Sequence, residues 1–171
     1  MKNKFQIFAE ITKLRITIFV TVTTMFGFIA ATDSISFQIL LPAFGILLLA
    51  CGSAALNHYQ ERKTDVLMER TKNRPIPSGK ISAKSTFQLS VALVVLGSIL
   101  LFIGSGLLAL SLGLLNLIWY NAVYTPLKKV SPLAIIPGSL VGAIPPVVGW
   151  VAGGGNILDP QIILISFFFF I

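Results

Sequence analysis

The sequence holds one cysteine, Cys51, and one histidine, His58, in 171 residues. A single thiol closes no intrachain disulfide, and zinc clusters and Cys nucleophile arrangements are hard to build from one Cys and one His. Charge is scarce too, at 11% of residues, and acids are scarcer than bases, with 6 Asp and Glu against 13 Lys and Arg. In a soluble domain the formal charge of +7 would suggest a nucleic-acid partner. Here it suggests none, because the bases sit in short gaps between long apolar runs, where positive charge sets membrane orientation.

Hydrophobic residues fill the rest of the chain, 55% of the total. A helix needs roughly 20 apolar residues to cross a hydrocarbon core about 30 Å thick. Runs of about that length cover Ile16 to Thr32, Phe37 to Leu56, Phe87 to Ile103, Leu107 to Tyr124 and Leu133 to Ala152. A sixth, Gln161 to Ile171, makes only about half a span, so the sequence reads as C-terminally incomplete. The expected fold is all-α: a polytopic transmembrane helix bundle of five full spans and a partial sixth, one domain over residues 1–171. Bases before the first run and small residues after it imitate a signal peptide. Cleavage there would leave the second span entering from the wrong side for the charge pattern.

That pattern is two-sided. Lys2, Lys4, Lys13 and Arg15 precede the first run, seven bases from Arg62 to Lys84 follow the second, and Lys128 and Lys129 follow the fourth. The gaps near Asp33, at Gly104 to Gly106 and at Gly153 to Pro160 contain no base. The positive-inside rule therefore puts the N-terminus in the cytoplasm. Gly142, Pro145, Pro146 and Gly149 in GAIPPVVGW lie within a span, where they mark kinks and close helix contacts in a bundle. There is no repeat of fixed period and no disordered tract. No charge lies deep in a full span, which argues against a transporter or an assembly factor with a polar midplane site.

The segment Leu56 to Ser82 carries the chemistry. Asn57, Glu61 and Asp65 are spaced by four, so on a helix they form one oxygen-bearing stripe. Glu69 continues the spacing, placing like charges at i and i+4 without a base at matching positions, a few tenths of a kcal/mol against the helix per pair. A cation among them would relieve that, and hard oxygen ligands suit Mg²⁺ shared with a phosphate. Arg62, Lys63, Arg70, Lys72 and Arg74 would complete a diphosphate site. The alternative is a solvated loop whose charges serve orientation and solubility.

Asn57, Glu61 and Asp65, followed by Met68, Arg70, Thr71, Arg74 and Pro75, resemble the first aspartate-rich motif of the UbiA-type intramembrane prenyltransferases and its R-T-x-x-R-P signature. Within that superfamily the closest likeness is to the members that farnesylate haem. It is carried by TKLRIT (Thr12 to Thr17), YTPLKK (Tyr124 to Lys129), GSLVGAIPPVVGW (Gly138 to Trp150) and the final FFFFI. Glu61 stands where the family usually has Asp, and His58 where many relatives have Asp.

The resemblance implies a fold of about nine helices, with a second aspartate-bearing loop beyond Ile171. It implies transfer of a farnesyl group from farnesyl diphosphate to a vinyl group of haem b, with water added, in the cytoplasmic (inner) membrane of a bacterium. The site residues it implies are Asn57, Glu61 and Asp65 for Mg²⁺, and Arg15, Arg70, Arg74 and Lys128 for the diphosphate. A quinone precursor or another aromatic acceptor is the alternative, since the diphosphate motif does not specify the acceptor. His58 reads as a hydrogen-bonding residue rather than a haem ligand. Tyr59, Tyr120 and Tyr124 could face the polyene, while Trp119 and Tyr124 equally suit the interfacial aromatic belt. The 171-residue chain alone is expected to insert but not to catalyse.

Overall fold

The computed structural model describes residues 3–171, so Lys2 lies outside the described residues. The chain is all-helical among them: α1 (Lys4–Ile11), α2 (Leu14–Thr32), α3 (Leu40–Asp65), α4 (Ala83–Ile118), α5 (Thr125–Leu127), α6 (Ile135–Ala152) and α7 (Pro160–Phe170). Four helical stretches are long and apolar enough to cross a membrane: Leu14–Thr32, Phe37–Asp65, Ala83–Leu127 and Pro132–Ala152. The third is 45 residues long, about 68 Å if straight, far more than a bilayer core.

It is not straight. Gly106 inside α4 has φ 75° and ψ −172°, a conformation that only glycine adopts readily. The chain doubles back there: a methyl group on Gly113 would sit 2.9 Å from the Leu101 side chain, although twelve residues of continuous helix would separate them by about 18 Å. Residues 83–105 and 107–127 are thus two antiparallel arms, and the five spans read from the sequence stand in the structure. α7 is the short sixth, 11 residues long.

Small residues bring these helices together. Along α3 and the first arm of α4, Gly45 lies against the Leu101 backbone and Gly97 against the Leu49 amide and Gly45 carbonyl, while Ser90 donates to the Gly52 carbonyl at 2.8 Å. α2 crosses α6 where Gly149 abuts the Thr24 carbonyl and Gly27 abuts that of Pro146. Gly27, Gly149 and Pro146 therefore serve close packing, whereas Pro145 lines the internal cavity described below. Ile46, Leu49, Leu101, Ala109 and Val148 form the core, while Phe19, Phe44, Phe102 and Phe168 face outward, as a lipid solvent requires. The chain is a multi-pass membrane protein.

Before the first span lies a short helix that the hydrophobic runs did not reveal. α1 begins with a capping box in which the Asn3 side chain accepts from the Gln6 amide at 2.8 Å and Gln6 accepts from the Asn3 amide at 3.1 Å. It ends at Ile11, and the chain then turns at Lys13, whose φ of 50° and ψ of 47° are left-handed, a conformation costing a non-glycine residue about 1–2 kcal/mol.

Candidate diphosphate site at the basic end of the bundle

Three basic segments converge at one end of the bundle. α3 extends past its apolar part and carries Asn57, Glu61 and Asp65, all buried, on one face. Asp65 is held bidentately by Arg74, with both carboxylate oxygens 2.9 Å from Nη1. The same nitrogen lies 3.5 Å from Glu61 Oε2, and Lys128 Nζ lies 2.9 Å from Glu61 Oε1. Lys13 Nζ donates to Asn57 Oδ1 at 2.8 Å and to the Tyr120 hydroxyl at 3.0 Å. Asn57 Nδ2 donates in turn to Thr125 Oγ1 at 3.0 Å.

Local chain geometry explains how these groups meet. The left-handed turn at Lys13 follows α1 and redirects the chain into α2, with its side chain over Asn57. Thr71 Oγ1 donates to the Asp65 carbonyl at 3.1 Å, which folds the segment after α3 back and sets Arg74 against the carboxylates. On the other wall, Pro126 cannot donate a backbone hydrogen bond, and a π-helical turn from Trp119 to Tyr124 precedes it. That turn stacks Tyr120 on Tyr124, ring centroids 5.5 Å apart, and Lys128 Nζ lies 5.3 Å from the Tyr124 centroid.

Below the polar cluster an apolar cavity of about 330 Å³ runs into the bundle. Lys13, Tyr120, Tyr124 and Lys128 stand at its polar end, and Ile46, Leu49, Val148 and Gly113 line its depth. Burial, then the charges of Lys128 and Arg74, lower the Lys13 pKa from 10.5 to about 8, with Glu61 and Asp65 acting in opposition. Three cations against two carboxylates leave the cluster with one positive charge in excess, which suits an anion.

Of the residues expected at the site, Asn57, Glu61, Asp65, Arg74 and Lys128 come together. Arg15 and Arg70 do not: both are exposed. Arg15 lies two residues before buried Thr17, about 200° around α2, so it faces away. Arg70 lies beyond the end of α3, as does Glu69, which breaks the expected four-residue stripe. Glu69 is exposed and paired with Lys72 at 2.6 Å. The acids of the stripe are relieved by Arg74 and Lys128, bases distant in sequence.

Arg62 packs on the Tyr59 ring, 4.0 Å from its centroid, and Lys63 is exposed. Tyr120 and Tyr124 line the cavity, whereas Tyr59 stacks on Phe87 at 5.1 Å and Trp119 donates to the Pro137 carbonyl at 3.1 Å. His58 is buried and no described residue bonds its Nδ1.

Sequence reasoning missed Lys13 and Thr125 as participants, while Tyr120, expected at the polyene, also accepts from Lys13 in the polar cluster. No helical periodicity marks Lys13, which stands in a left-handed turn between α1 and α2.

Among the described residues no group of three or more His, Cys, Asp and Glu could hold a metal. Glu61 and Asp65 nevertheless fit a hard cation, because one guanidinium nitrogen already bridges them and the buried Asn57 adds an amide oxygen on the same face.

The profile of the UbiA prenyltransferase family matches residues 19–171. A protoheme IX farnesyltransferase from Christiangramia forsetii is 38% identical over 164 residues, 94% of this chain and 54% of the relative. One from Geobacter sulfurreducens is 44% identical over 127 residues, 74% of this chain and 47% of the relative. The chain thus spans about half the length of the curated relatives it matches. A solved digeranylgeranylglyceryl phosphate synthase superposes with a TM-score of 0.85 at 20% identity, covering 98% of this chain and 58% of that one. A UbiA homolog from Archaeoglobus fulgidus, bound to DMAPP and Mg²⁺, superposes with a TM-score of 0.71 at 16% identity, over 94% of this chain and 59% of that one. Four membrane-length helical stretches, the fold shared with these two structures and a family match covering most of the chain agree: the chain belongs to the UbiA prenyltransferase family.

Proposed function

We propose that the protein transfers a farnesyl group from farnesyl diphosphate to a vinyl group of haem b, with addition of water, giving haem O. The observation that carries the reading is the convergence of Lys13, Arg74 and Lys128 with Asn57, Glu61 and Asp65 at the polar end of an apolar cavity. Its volume of about 330 Å³ lies within the range of small-molecule sites, about 300–1,000 Å³. The haem acceptor is supported by relatives named protoheme IX farnesyltransferase at 38% and 44% identity.

Breaking an allylic carbon–oxygen bond requires charge stabilisation on the departing diphosphate and a dry surrounding for the cation. Lys13, Arg74 and Lys128 donate hydrogen bonds to the diphosphate oxygens. Glu61 and Asp65, with Asn57, would hold Mg²⁺, which would supply further charge neutralisation at the diphosphate. Leu49, Leu117 and Val148 surround the isoprenoid chain and exclude water from it. Arg15 and Arg70, expected at the diphosphate from the resemblance, attract it only at long range.

The 171 residues form one part of a single transmembrane domain of the cytoplasmic membrane, N-terminus inside, as the basic end of the bundle supports. Taken alone they insert but do not catalyse, since the matched relatives place about half their length outside this segment. Membranes carrying the complete gene product, supplied with farnesyl diphosphate, Mg²⁺ and haem b, should yield haem O, and membranes carrying the 171-residue chain should not. Prenylation of 4-hydroxybenzoate with haem untouched would select the aromatic-acceptor alternative. Haem O from both samples would show that this segment is sufficient.

A further inference from the structure

Asn116 lies on the second arm of α4, one turn before Tyr120, and lines the cavity. Its Nδ2 donates to the Val141 carbonyl across the cavity wall at 3.2 Å. A carbonyl oxygen can only accept, so the amide end facing Val141 is the NH₂ and the orientation of the side chain is settled. The Oδ1 is buried, and no described residue donates to it. A buried acceptor without a donor is unfavourable, and a prenyl cavity gains nothing from one. No hydroxyl along these walls bonds it: Ser53 Oγ accepts from Asn121 at 2.6 Å and the Tyr120 hydroxyl accepts from Lys13 at 3.0 Å, and neither O–H reaches Asn116 Oδ1. Asn116 Oδ1 is therefore set to receive an O–H or N–H from an occupant. A farnesyl chain has no such donor, and neither has a haem vinyl group. Water, the third reactant in haem farnesylation, has two.

We propose that Asn116 positions the water consumed in the reaction, an inference that rests on the haem reading above. The C1–O bond of farnesyl diphosphate breaks with its electron pair on the diphosphate. The vinyl π pair joins the outer vinyl carbon to farnesyl C1, leaving the inner vinyl carbon cationic. Water held through one hydrogen by Asn116 Oδ1 offers a lone pair to that carbon. The new C–O bond forms, and the proton released passes to the diphosphate. Asn116 is thus a positioning residue for the nucleophile and takes no proton itself. It stands about 6 Å, one helical turn, from Tyr120 and the polar end of the cavity.

The test uses membranes carrying the complete gene product, with farnesyl diphosphate, Mg²⁺, haem b and ¹⁸O-labelled water, and mass analysis of the haem products. The wild-type product carries ¹⁸O in its new hydroxyl. In Asn116→Leu the hydroxylated share of all farnesylated haem falls about tenfold, the effect of one hydrogen bond lost at the reacting water. An alkene product lighter by one water replaces it, because the cation then closes by losing a proton. Asn116→Asp keeps an acceptor oxygen and restores the hydroxylated product to the majority. An unchanged product ratio in Asn116→Leu overturns the proposal while leaving the haem reading intact. An equal fall in total product in both variants, at wild-type ratio, also overturns it and marks a structural role. If the wild type makes no farnesylated haem, the functional reading fails and the proposal falls with it.

Discussion

Lys13 offers the sharpest test of the diphosphate cluster, because its geometry and its proton equilibrium predict different observables. Its ammonium donates to Asn57 Oδ1 at 2.8 Å and to the Tyr120 hydroxyl at 3.0 Å, and burial with Lys128 and Arg74 nearby holds its pKa at about 8. Below pH 8 the group is charged and ready for an anion. Above it, binding must first recover a proton, so diphosphate affinity falls as pH rises, by about tenfold per unit, until the pKa of the bound state is reached. A hydrogen bond to a charged group is worth about 1.5–3 kcal/mol, so Lys13→Met should weaken binding at pH 7 by about 10- to 150-fold. Lys13→Arg keeps the charge at every accessible pH and should flatten the profile between pH 7.5 and 9 at the cost of a less favourable fit, about tenfold at most. The assay is equilibrium binding of inorganic diphosphate with Mg²⁺ to the purified complete gene product across that pH range. The ligand titrates too, so the decisive quantity is the difference between variants. If Lys13→Met loses affinity with the wild-type slope, the titrating group lies elsewhere and the argument from burial is wrong.

Further outcomes follow from the same geometry. Asp65→Asn removes a carboxylate from the proposed Mg²⁺ site and should cut haem farnesylation by at least about 100-fold while membrane insertion, read by protease protection, is unchanged; normal turnover would refute the metal role. Arg74→Ala should lower kcat/KM for farnesyl diphosphate by about 100-fold or more, whereas Arg70→Ala and Arg15→Ala should stay within about threefold, since only Arg74 reaches the carboxylates; equal losses in all three would restore the assignment from the resemblance. Gly149→Ala drives a methyl into the Thr24 carbonyl at the crossing of α2 and α6 and should destabilise the folded protein by about 1–3 kcal/mol, measured as thermal stability in detergent.

The membrane fold was legible because the bilayer imposes one rule on every span: roughly 20 apolar residues without charge. The turn at Gly106 was visible for the same reason, as a short break between two runs. What that rule does not reach was missed. α1 is too short and too mixed to register as an apolar run, although its Asn-x-x-Gln capping box is a local signal. The expected stripe through Glu69 failed because spacing by four says nothing about where a helix stops. α3 ends at Asp65, and the Thr71 hydroxyl bond to the Asp65 carbonyl folds the chain back instead.

The site was harder to read for a physical reason that concerns its cations. A bilayer expels charge from the spans, so any cation that serves chemistry must sit at a helix end, among the cations that merely set orientation. Both kinds then crowd the same three segments, and composition cannot separate them. Within a helix, helical phase can. Arg15 stands two residues before buried Thr17, about 160° off its face of α2, and is exposed, whereas Lys13 lies outside that count, in the left-handed turn ahead of the helix that sets its ammonium on Asn57. The same logic applies at Lys128, which follows Tyr124 by four and shares its face toward Glu61, unlike its exposed neighbour Lys129. Helix face thus separates Lys128 from Lys129, while Lys13 and Arg74, which stand in turns, reach the site through the left-handed bend before α2 and the Thr71 bond after α3.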